Sequence, residues 1–307
     1  MRKPIFLETK STAAGGPVFR LWLCCLGMLS GLFIFACSPM QLTPITPVPT
    51  EHHRVGQVVW YDLLTTDRDA ARQFYGQLFG WTFQEYNRYT LILNNGMPIA
   101  GIVPVDAVEK DARRGCWAVC LSIGDVDNYA RLVEEIGGQI VQPPAEMVNR
   151  GRYTIISDPQ GAPLVLLNSA NGDPVPWEPE MGGWLWAELW TTDIDGALNF
   201  YQPLGGYIAQ RVNSGEEEDA YWILVNDEGW QAGVTAIPLE DVPPQWMPVI
   251  RVADPAAVAD RVPALGGQVL MEPGHPLSSG NVAIIEDPTG GIFMVQSWQD
   301  ESEGKER

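Results

Sequence analysis

Histidine is nearly missing from this chain: among 307 residues there are three, His52, His53 and His275. With so few imidazoles, a His-rich metal centre is excluded at the outset. Cysteine is scarce too, at five. Cys24, Cys25 and Cys37 fall in the first 37 residues, which leaves Cys116 and Cys120 for the folded part. Four residues apart on a strand, these two lie about 13 Å from one another, beyond the roughly 7 Å reach of a disulfide. They read as free thiols filling core space. Basic residues are outnumbered, 19 Lys and Arg against 38 Asp and Glu, for a formal net charge of −19. Such a field repels nucleic acid and anionic lipid surfaces and favours solubility. Finally, no apolar run is long enough to span a bilayer, which takes about 20 residues.

What the N-terminus does have is the layout of an export signal. Arg2, Lys3, Lys10 and Arg20 precede an apolar stretch from Leu21 to Ala36, and Cys37 closes it. We read residues 1–36 as a signal peptide. Ile34-Phe35-Ala36-Cys37 resembles a bacterial lipobox, although Phe35 stands where a small residue is usual. That resemblance implies lipidation of Cys37 and attachment to a bilayer in the cell envelope. Ser38, rather than Asp, follows the Cys and favours the outer membrane over the inner one. An uncleaved N-terminal anchor is the alternative. Residues 38–55 hold Pro39, Pro44, Pro47 and Pro49 among Thr and Gln, with little to bury, and are expected to form an extended tether.

The rest of the chain says nearly the same thing twice. Trp60-Tyr61-Asp62-Leu63-Leu64-Thr65-Thr66-Asp67 returns as Trp186-Ala187-Glu188-Leu189-Trp190-Thr191-Thr192-Asp193. Phe74-Tyr75 and Gly80 return as Phe200-Tyr201 and Gly206. Gly137-Gly138-Gln139 and Asp158-Pro159 return as Gly266-Gly267-Gln268 and Asp287-Pro288. A period this long means paired modules, not a solenoid. The divisions are domain 1 at 56–169, a linker at 170–181, domain 2 at 182–298 and a charged tail at 299–307.

Within one repeat, Val58 to Thr65 is rich in β-branched and aromatic residues and reads as a strand. Asp67 follows in an N-cap position, then Ala71, Phe74, Tyr75 and Leu78 come at helical spacing until Gly80. Three short strands follow, with Asn94-Asn95-Gly96 as a hairpin turn. Trp117 to Ile123, the cap Asp125, a helix to Ile136 and strands near Gln139, Tyr153 and Pro163 repeat the order. Each domain is thus an α+β unit of βαβββ taken twice.

This order, the Thr-Thr-Asp and Phe-Tyr strings and the Asp-Pro-x-Gly turns resemble the vicinal oxygen chelate superfamily of glyoxalase I, extradiol dioxygenases and bleomycin and fosfomycin resistance proteins. More narrowly, the chain is similar to two-domain glyoxalase-like proteins whose domains begin Trp-x-Glu-Leu-x-Thr-x-Asp. The resemblance implies that each domain curls eight strands into a half-open cup. It also implies that metal-dependent members take His and Glu ligands from the first, fifth and last strands. Counted from the capping and turn Asp residues, those places hold Trp60, Ala118 and Val165 in domain 1, and Trp186, Met247 and Met294 in domain 2. None is a ligand for Fe²⁺, Zn²⁺, Ni²⁺ or Mn²⁺. We therefore expect neither metal nor cofactor.

Because side chains alternate along a strand, Asp62 shares a face with Trp60, and Glu188 with Trp186 and Trp190. Each acid is a candidate general base, or an anchor for a ligand; equally, it is a structural group satisfied by a hydroxyl or an indole N–H. Trp81, Tyr89 and Trp222 fall on strands that would wall the cups, where stacking on a ligand and plain core packing compete. Arg150 and Arg152 place positive charge by the first cup, and His275 lies in a loop near the second. The expected function is retention of a small, partly apolar or aromatic molecule, chiefly in cup 1, with Asp62 inside and Arg150 or Arg152 at the rim. A lyase or isomerase using Asp62 or Glu188 is the alternative, and a purely structural lipoprotein a third reading. Two paired domains within one chain favour a monomer with no nucleic-acid partner.

Overall fold

The computed structural model describes residues 42–105, 115–175, 179–212, 221–274 and 281–298. The leader with Cys37, the loop with His275 and the charged tail lie outside these residues. No helix among those described is long and apolar enough to cross a membrane.

Domain 1 runs β1 (Val58–Thr65), α1 (Arg68–Phe79), β2 (Thr82–Tyr86), β3 (Tyr89–Asn94), β4 (Met97–Pro104), β5 (Cys116–Ser122), α2 (Val126–Glu135), β6 (Gln139–Met147), β7 (Gly151–Ser157) and β8 (Pro163–Ser169). Domain 2 repeats it as β9 (Trp184–Thr191), α3 (Ile194–Gly205), β10 (Ile208–Val212), β11 (Tyr221–Asn226), β12 (Gly229–Ala236), β13 (Gln245–Arg251), α4 (Pro255–Ala259), β14 (Gln268–Met271), β15 (Val282–Glu286) and β16 (Ile292–Gln296). Each domain is one eight-stranded sheet, in the orders β2-β3-β4-β1-β5-β8-β7-β6 and β10-β11-β12-β9-β13-β16-β15-β14. The βαβββ duplication is therefore present in both.

Local chemistry explains the element ends. Asp67 and Asp193 cap α1 and α3, accepting from the Ala70 and Gly196 amides at 2.9 and 3.0 Å. Gly80 and Gly206 end these helices in the left-handed region, with φ of 75° and 67°. Asn95 and Gly96 both take positive φ, the turn that suits a two-residue hairpin. The repeat breaks down at α4, which is five residues long and followed by a 3₁₀ turn over Pro263–Leu265. Pro263 has no amide hydrogen to donate and its ring crowds the preceding turn, so the helix stops.

The helix-bearing faces of both sheets share one core. Tyr61, Leu63, Phe74, Tyr75, Trp117 and Leu164 from domain 1 pack with Leu189, Phe200, Tyr201, Trp246 and Phe293 from domain 2. Each helix reaches across. The Tyr75 hydroxyl donates to Asp287 Oδ2 at 2.9 Å, and Tyr201 to Asp158 Oδ2 at 3.0 Å. Each phenol also accepts from an indole, Trp117 Nε1 on Tyr75 and Trp246 Nε1 on Tyr201, both at 3.0 Å. Beside them Phe200 lies where a Cβ on Gly138 would sit at 2.7 Å, and Phe74 where one on Gly267 would sit at 2.8 Å. The Phe-Tyr, Gly-Gly and Asp-Pro strings of the repeat thus meet across the domain boundary.

The stretch written as a tether does not run free from residue 42 onward: Leu42, Ile45 and Thr46 are buried. Leu42 and Ile45 join the apolar cluster on the open face of the first sheet. Proline prevented this stretch from reading as a structural element, yet two apolar side chains suffice to dock it.

Removing a phenol from the interdomain clamp should strand its partners. Tyr75→Phe leaves the Trp117 N–H without its acceptor and Asp287 short of a donor, and Tyr201→Phe does the same to Trp246 and Asp158. Each is expected to lower stability by about 1–3 kcal/mol in chemical denaturation. Equal losses would bear out the pseudo-twofold relation.

Candidate functional site

Alternation along β1 turns Tyr61 and Leu63 to the shared core and Trp60, Asp62 and Leu64 to the opposite, concave face. A bulge between Val58 and Trp60 interrupts the pairing with β5, so Val59 and Trp60 both pack on the cup side. Ala118 and Cys120 of β5, Tyr153 and Ile155 of β7, and Val165 and Leu167 of β8 complete the wall.

Asp62 is the centre of cup 1. Its Oδ1 accepts from Trp60 Nε1 at 3.0 Å and from the Tyr89 hydroxyl at 2.9 Å. Gly101 on β4 makes room for that hydroxyl, because a Cβ there would meet it at 1.9 Å. Arg150 completes the group. It is 1% exposed, its Nη2 donates to the Tyr89 hydroxyl at 2.7 Å, and its Nη1 lies 3.6 Å from Asp62 Oδ2. The guanidinium also stands over Trp60, 4.8 Å from the ring centroid, and 5.4 Å from that of Tyr89. Burial pushes the Cys120 thiol well up, with the Asp62 charge adding and Arg150 opposing, so it is a neutral thiol. The cavity remaining between these groups and Leu42 is about 40 Å³. That is space for a water molecule or so.

Cup 2 has the same frame with different electrostatics. Glu188 accepts from Trp190 Nε1 and from the Tyr221 hydroxyl, both at 2.8 Å. Gly233 makes room for Tyr221 as Gly101 does for Tyr89, a Cβ there meeting the hydroxyl at 2.0 Å. The indole donor has moved from two residues before the acid to two after it. Trp186, in the place of Trp60, instead stacks on Tyr221 at 6.0 Å, and its buried Nε1 has no hydrogen-bond partner among the described residues. Met247, Met271, Met294 and Val249 form the wall. Among the described residues no cation pairs with Glu188. Burial is the largest influence on it and raises its pKa, against the two hydrogen bonds that lower it.

Several anticipated site residues lie elsewhere. Arg150 is not at a rim but inside cup 1. Arg152, next to the inward Tyr153 on β7 and so on the opposite face of the strand, points to the helix side and pairs with Asp127 at 2.8 Å and Glu146 at 3.1 Å. Trp81 is in the shared core, donating to the Gly182 carbonyl at 2.7 Å. Trp222 also packs against that core, beside an open cleft with Arg211 and Asp193. Its neighbour Tyr221 takes the inward position. Trp60, Asp62 and Tyr89 stand together in cup 1, and Trp186, Glu188 and Trp190 in cup 2. Tyr221 was legible as the repeat of Tyr89, and Gly101 and Gly233 as matched glycines inside strands.

Among the described residues the donor set does not suit a metal. Trp60, Ala118 and Val165 face cup 1, and Met247 and Met294 face cup 2. Apart from Cys120, the acid in each cup has no second carboxylate, imidazole or thiol beside it among these residues. Among the described residues no group of three His, Cys, Asp or Glu converges.

The family model described as "Glyoxalase/Bleomycin resistance protein/Dioxygenase superfamily" matches residues 55–166 and 184–295. CFP32 of Mycobacterium tuberculosis, which is named as a glyoxylase, is 32% identical over 251 residues, covering 79% of this chain and 95% of the relative. The anthracycline biosynthesis protein DnrV of Streptomyces peucetius is 28% identical over 261 residues, covering 78% and 92%. Among solved structures, the Mn(II)-bound glyoxalase from Novosphingobium aromaticivorans superposes with a TM-score of 0.54 at 16% identity, covering 80% of this chain and 83% of that one. This last likeness is one of fold.

Two substitutions separate the cups. Arg150→Ala leaves the Asp62 charge buried without its partner and should cost about 3–5 kcal/mol, whereas Arg152→Ala should leave stability little changed; denaturation of both variants measures the contrast. Glu188→Gln tests the raised acid. A raised carboxyl favours the protonated form in the folded state, so the penalty is absent below the ordinary value of 4.5 and grows as pH rises through the raised one. Glu188→Gln should therefore exceed the parent in Tm at pH 8, with the difference closing towards pH 4.5.

Proposed function

Because the chain belongs to the glyoxalase/bleomycin resistance protein/dioxygenase superfamily, we propose that it binds a small, partly apolar or aromatic molecule without a family-type metal centre, and that cup 2 is the principal site. The observation that carries this reading is Glu188, a buried acid with no cation beside it among the described residues, held by Trp190 and Tyr221. Around it are a stacked Trp186 with an unused indole N–H and a wall of methionines. Methionine adapts its shape and makes favourable contacts with aromatic rings. The lining is apolar with a few fixed polar groups, the composition that small-molecule sites favour. This reverses the division of labour expected from the loop charges. In cup 1 the positive charge is spent on Asp62, and Leu42 covers what remains.

A second reading, a lyase or isomerase, is favoured by one observation, the raised pKa of Glu188. An acid poised this way takes a proton from a bound carbon or oxygen acid more readily than one with an ordinary pKa. In this reading Glu188 is the base. Asp62, held beside Arg150, is less suited to that role.

The reading also includes export and attachment through lipidated Cys37. Only residues 38–41 separate that cysteine from buried Leu42, so cup 1 would sit within roughly 17 Å of contour length of the lipid. Cys37→Ser should then shift the protein from the detergent phase to the aqueous phase in a detergent partition. An unchanged partition would remove the lipid from the proposal.

Titration with a series of small aromatic and quinone-like compounds, followed by tryptophan fluorescence, tests the cup. We expect saturable quenching that weakens at least tenfold in Glu188→Gln and in Trp186→Phe and survives Asp62→Asn. Loss in Asp62→Asn with retention in Glu188→Gln would place the site in cup 1 instead. Turnover of a bound compound, with a pH profile abolished in Glu188→Gln, would establish the enzymatic reading. Elemental analysis checks the metal: stoichiometric Fe, Zn, Ni or Mn in the purified protein would overturn the metal-free assignment.

A further inference from the structure

The N-terminal stretch over cup 1 is built in three parts. Leu42, Ile45 and Thr46 are buried in the cup mouth, Pro47, Val48 and Pro49 are exposed, and Thr50 is fixed again. Thr50 is held by its amide on the Asn171 carbonyl at 2.8 Å and by its hydroxyl on the Asp173 carbonyl at 2.8 Å. The buried part is gripped by side chains from the cup itself. Arg150 Nε donates to the Thr43 carbonyl at 2.9 Å, and Asn149 Nδ2 to the Leu42 carbonyl at 3.3 Å. Pro44 and Pro47 have no amide hydrogen, so the stretch is poorly suited to joining a sheet as a strand. It lies in the cup as a bound peptide would: two backbone carbonyls on polar side chains, two apolar side chains in the pocket.

We propose that residues 42–46 are an intramolecular ligand of cup 1, which on their release takes a small apolar molecule bearing a neutral carbonyl oxygen that accepts from Arg150 where the Thr43 carbonyl now does. A neutral carbonyl is the chemistry in place. Asp62 already balances the Arg150 charge, so a carboxylate would add an uncompensated negative charge to a buried site. An amide, ketone or ester replaces the Thr43 oxygen like for like, and Nη1, which has no hydrogen-bond partner among the described residues, offers a further donor. The apolar body takes the space of Leu42 and Ile45 above Leu64, Val103, Met147 and Ile155. Release needs no change at Thr50, because the exposed residues 47–49 lie between the plug and that anchor. The proposal concerns cup 1 alone and stands whether or not cup 2 binds a ligand.

The test uses the full chain and the double substitution Leu42→Ser/Ile45→Ser, which removes the apolar hold and keeps the backbone. Two probes are titrated, N-acetyl-Leu-Thr-Pro-Ile-Thr-amide and 4-phenyl-2-butanone. The double variant should bind each at least tenfold more tightly than the parent, and the two should compete. Equal affinities in parent and variant would overturn the proposal, as would two probes that do not compete. If the variant does not fold, the parent chain decides. Saturating ketone should speed hydrogen exchange at the amides of Leu42, Thr43, Ile45 and Thr46 at least tenfold, leaving β1 and β5 unchanged. Unaltered exchange would show that these residues are permanent core.

Discussion

The structure depends on a reciprocal clamp between two copies of one domain. Phe74-Tyr75 of one helix inserts against Gly267 and Asp287 of the other domain, and Phe200-Tyr201 answers against Gly138 and Asp158. The carboxylates are buried, and burial raises the pKa of Asp158 and Asp287. What holds them is a full set of donors: Asp287 accepts from the Thr289 amide, the Thr289 hydroxyl at 2.7 Å, the Gly291 amide and Tyr75. A half-satisfied version would be costly in so dry a place. Both ends of the clamp must therefore be kept together, which accounts for the survival of these short strings in two otherwise divergent halves.

The clamp dictates what is left for function. Since the helix-bearing faces of both sheets are consumed in one core, only the opposite faces remain open to a ligand. Each carries an acid on its first strand, an indole donor two residues away, a tyrosine from the third strand and a glycine that lets the phenol in. The frame is common; the charge is not. Cup 1 neutralises its acid with a buried guanidinium and stacks that guanidinium on Trp60. Cup 2 leaves its acid to two neutral donors, and desolvation lifts its pKa.

Much of this was legible in the sequence, because the repeat and the strand period are local signals. Strand alternation turned Asp62 and Glu188 inward, and helical spacing kept Phe74, Tyr75, Phe200 and Tyr201 in the core. Trp81 and Trp222 were misplaced for a reason of parity: a strand exposes alternate residues, and a start shifted by one residue reverses every face. Trp81 precedes β2 and Trp222 follows the inward Tyr221. Arg150 was misplaced because position in a loop says nothing of which way a long side chain folds; it reached Asp62, which is distant in sequence and close in space. The docked N-terminal stretch was hidden by its prolines. Composition correctly showed that it forms no regular element, but absence of secondary structure does not mean absence of burial.

The differing charge in the two cups sets what each can hold. An ion pair inside a cavity is costly to disturb: a ligand that draws Arg150 away from Asp62 must supply equivalent partners to both. Cup 1 is accordingly restricted to groups that add an acceptor without displacing one, the role the Thr43 carbonyl fills. An acid held by neutral donors faces no such restriction. Glu188 has two neutral donors and no cation beside it among the described residues, and burial raises its pKa. Duplication of one frame has thus produced two sites of opposite character, one closed by electrostatic satisfaction and one kept responsive by its lack.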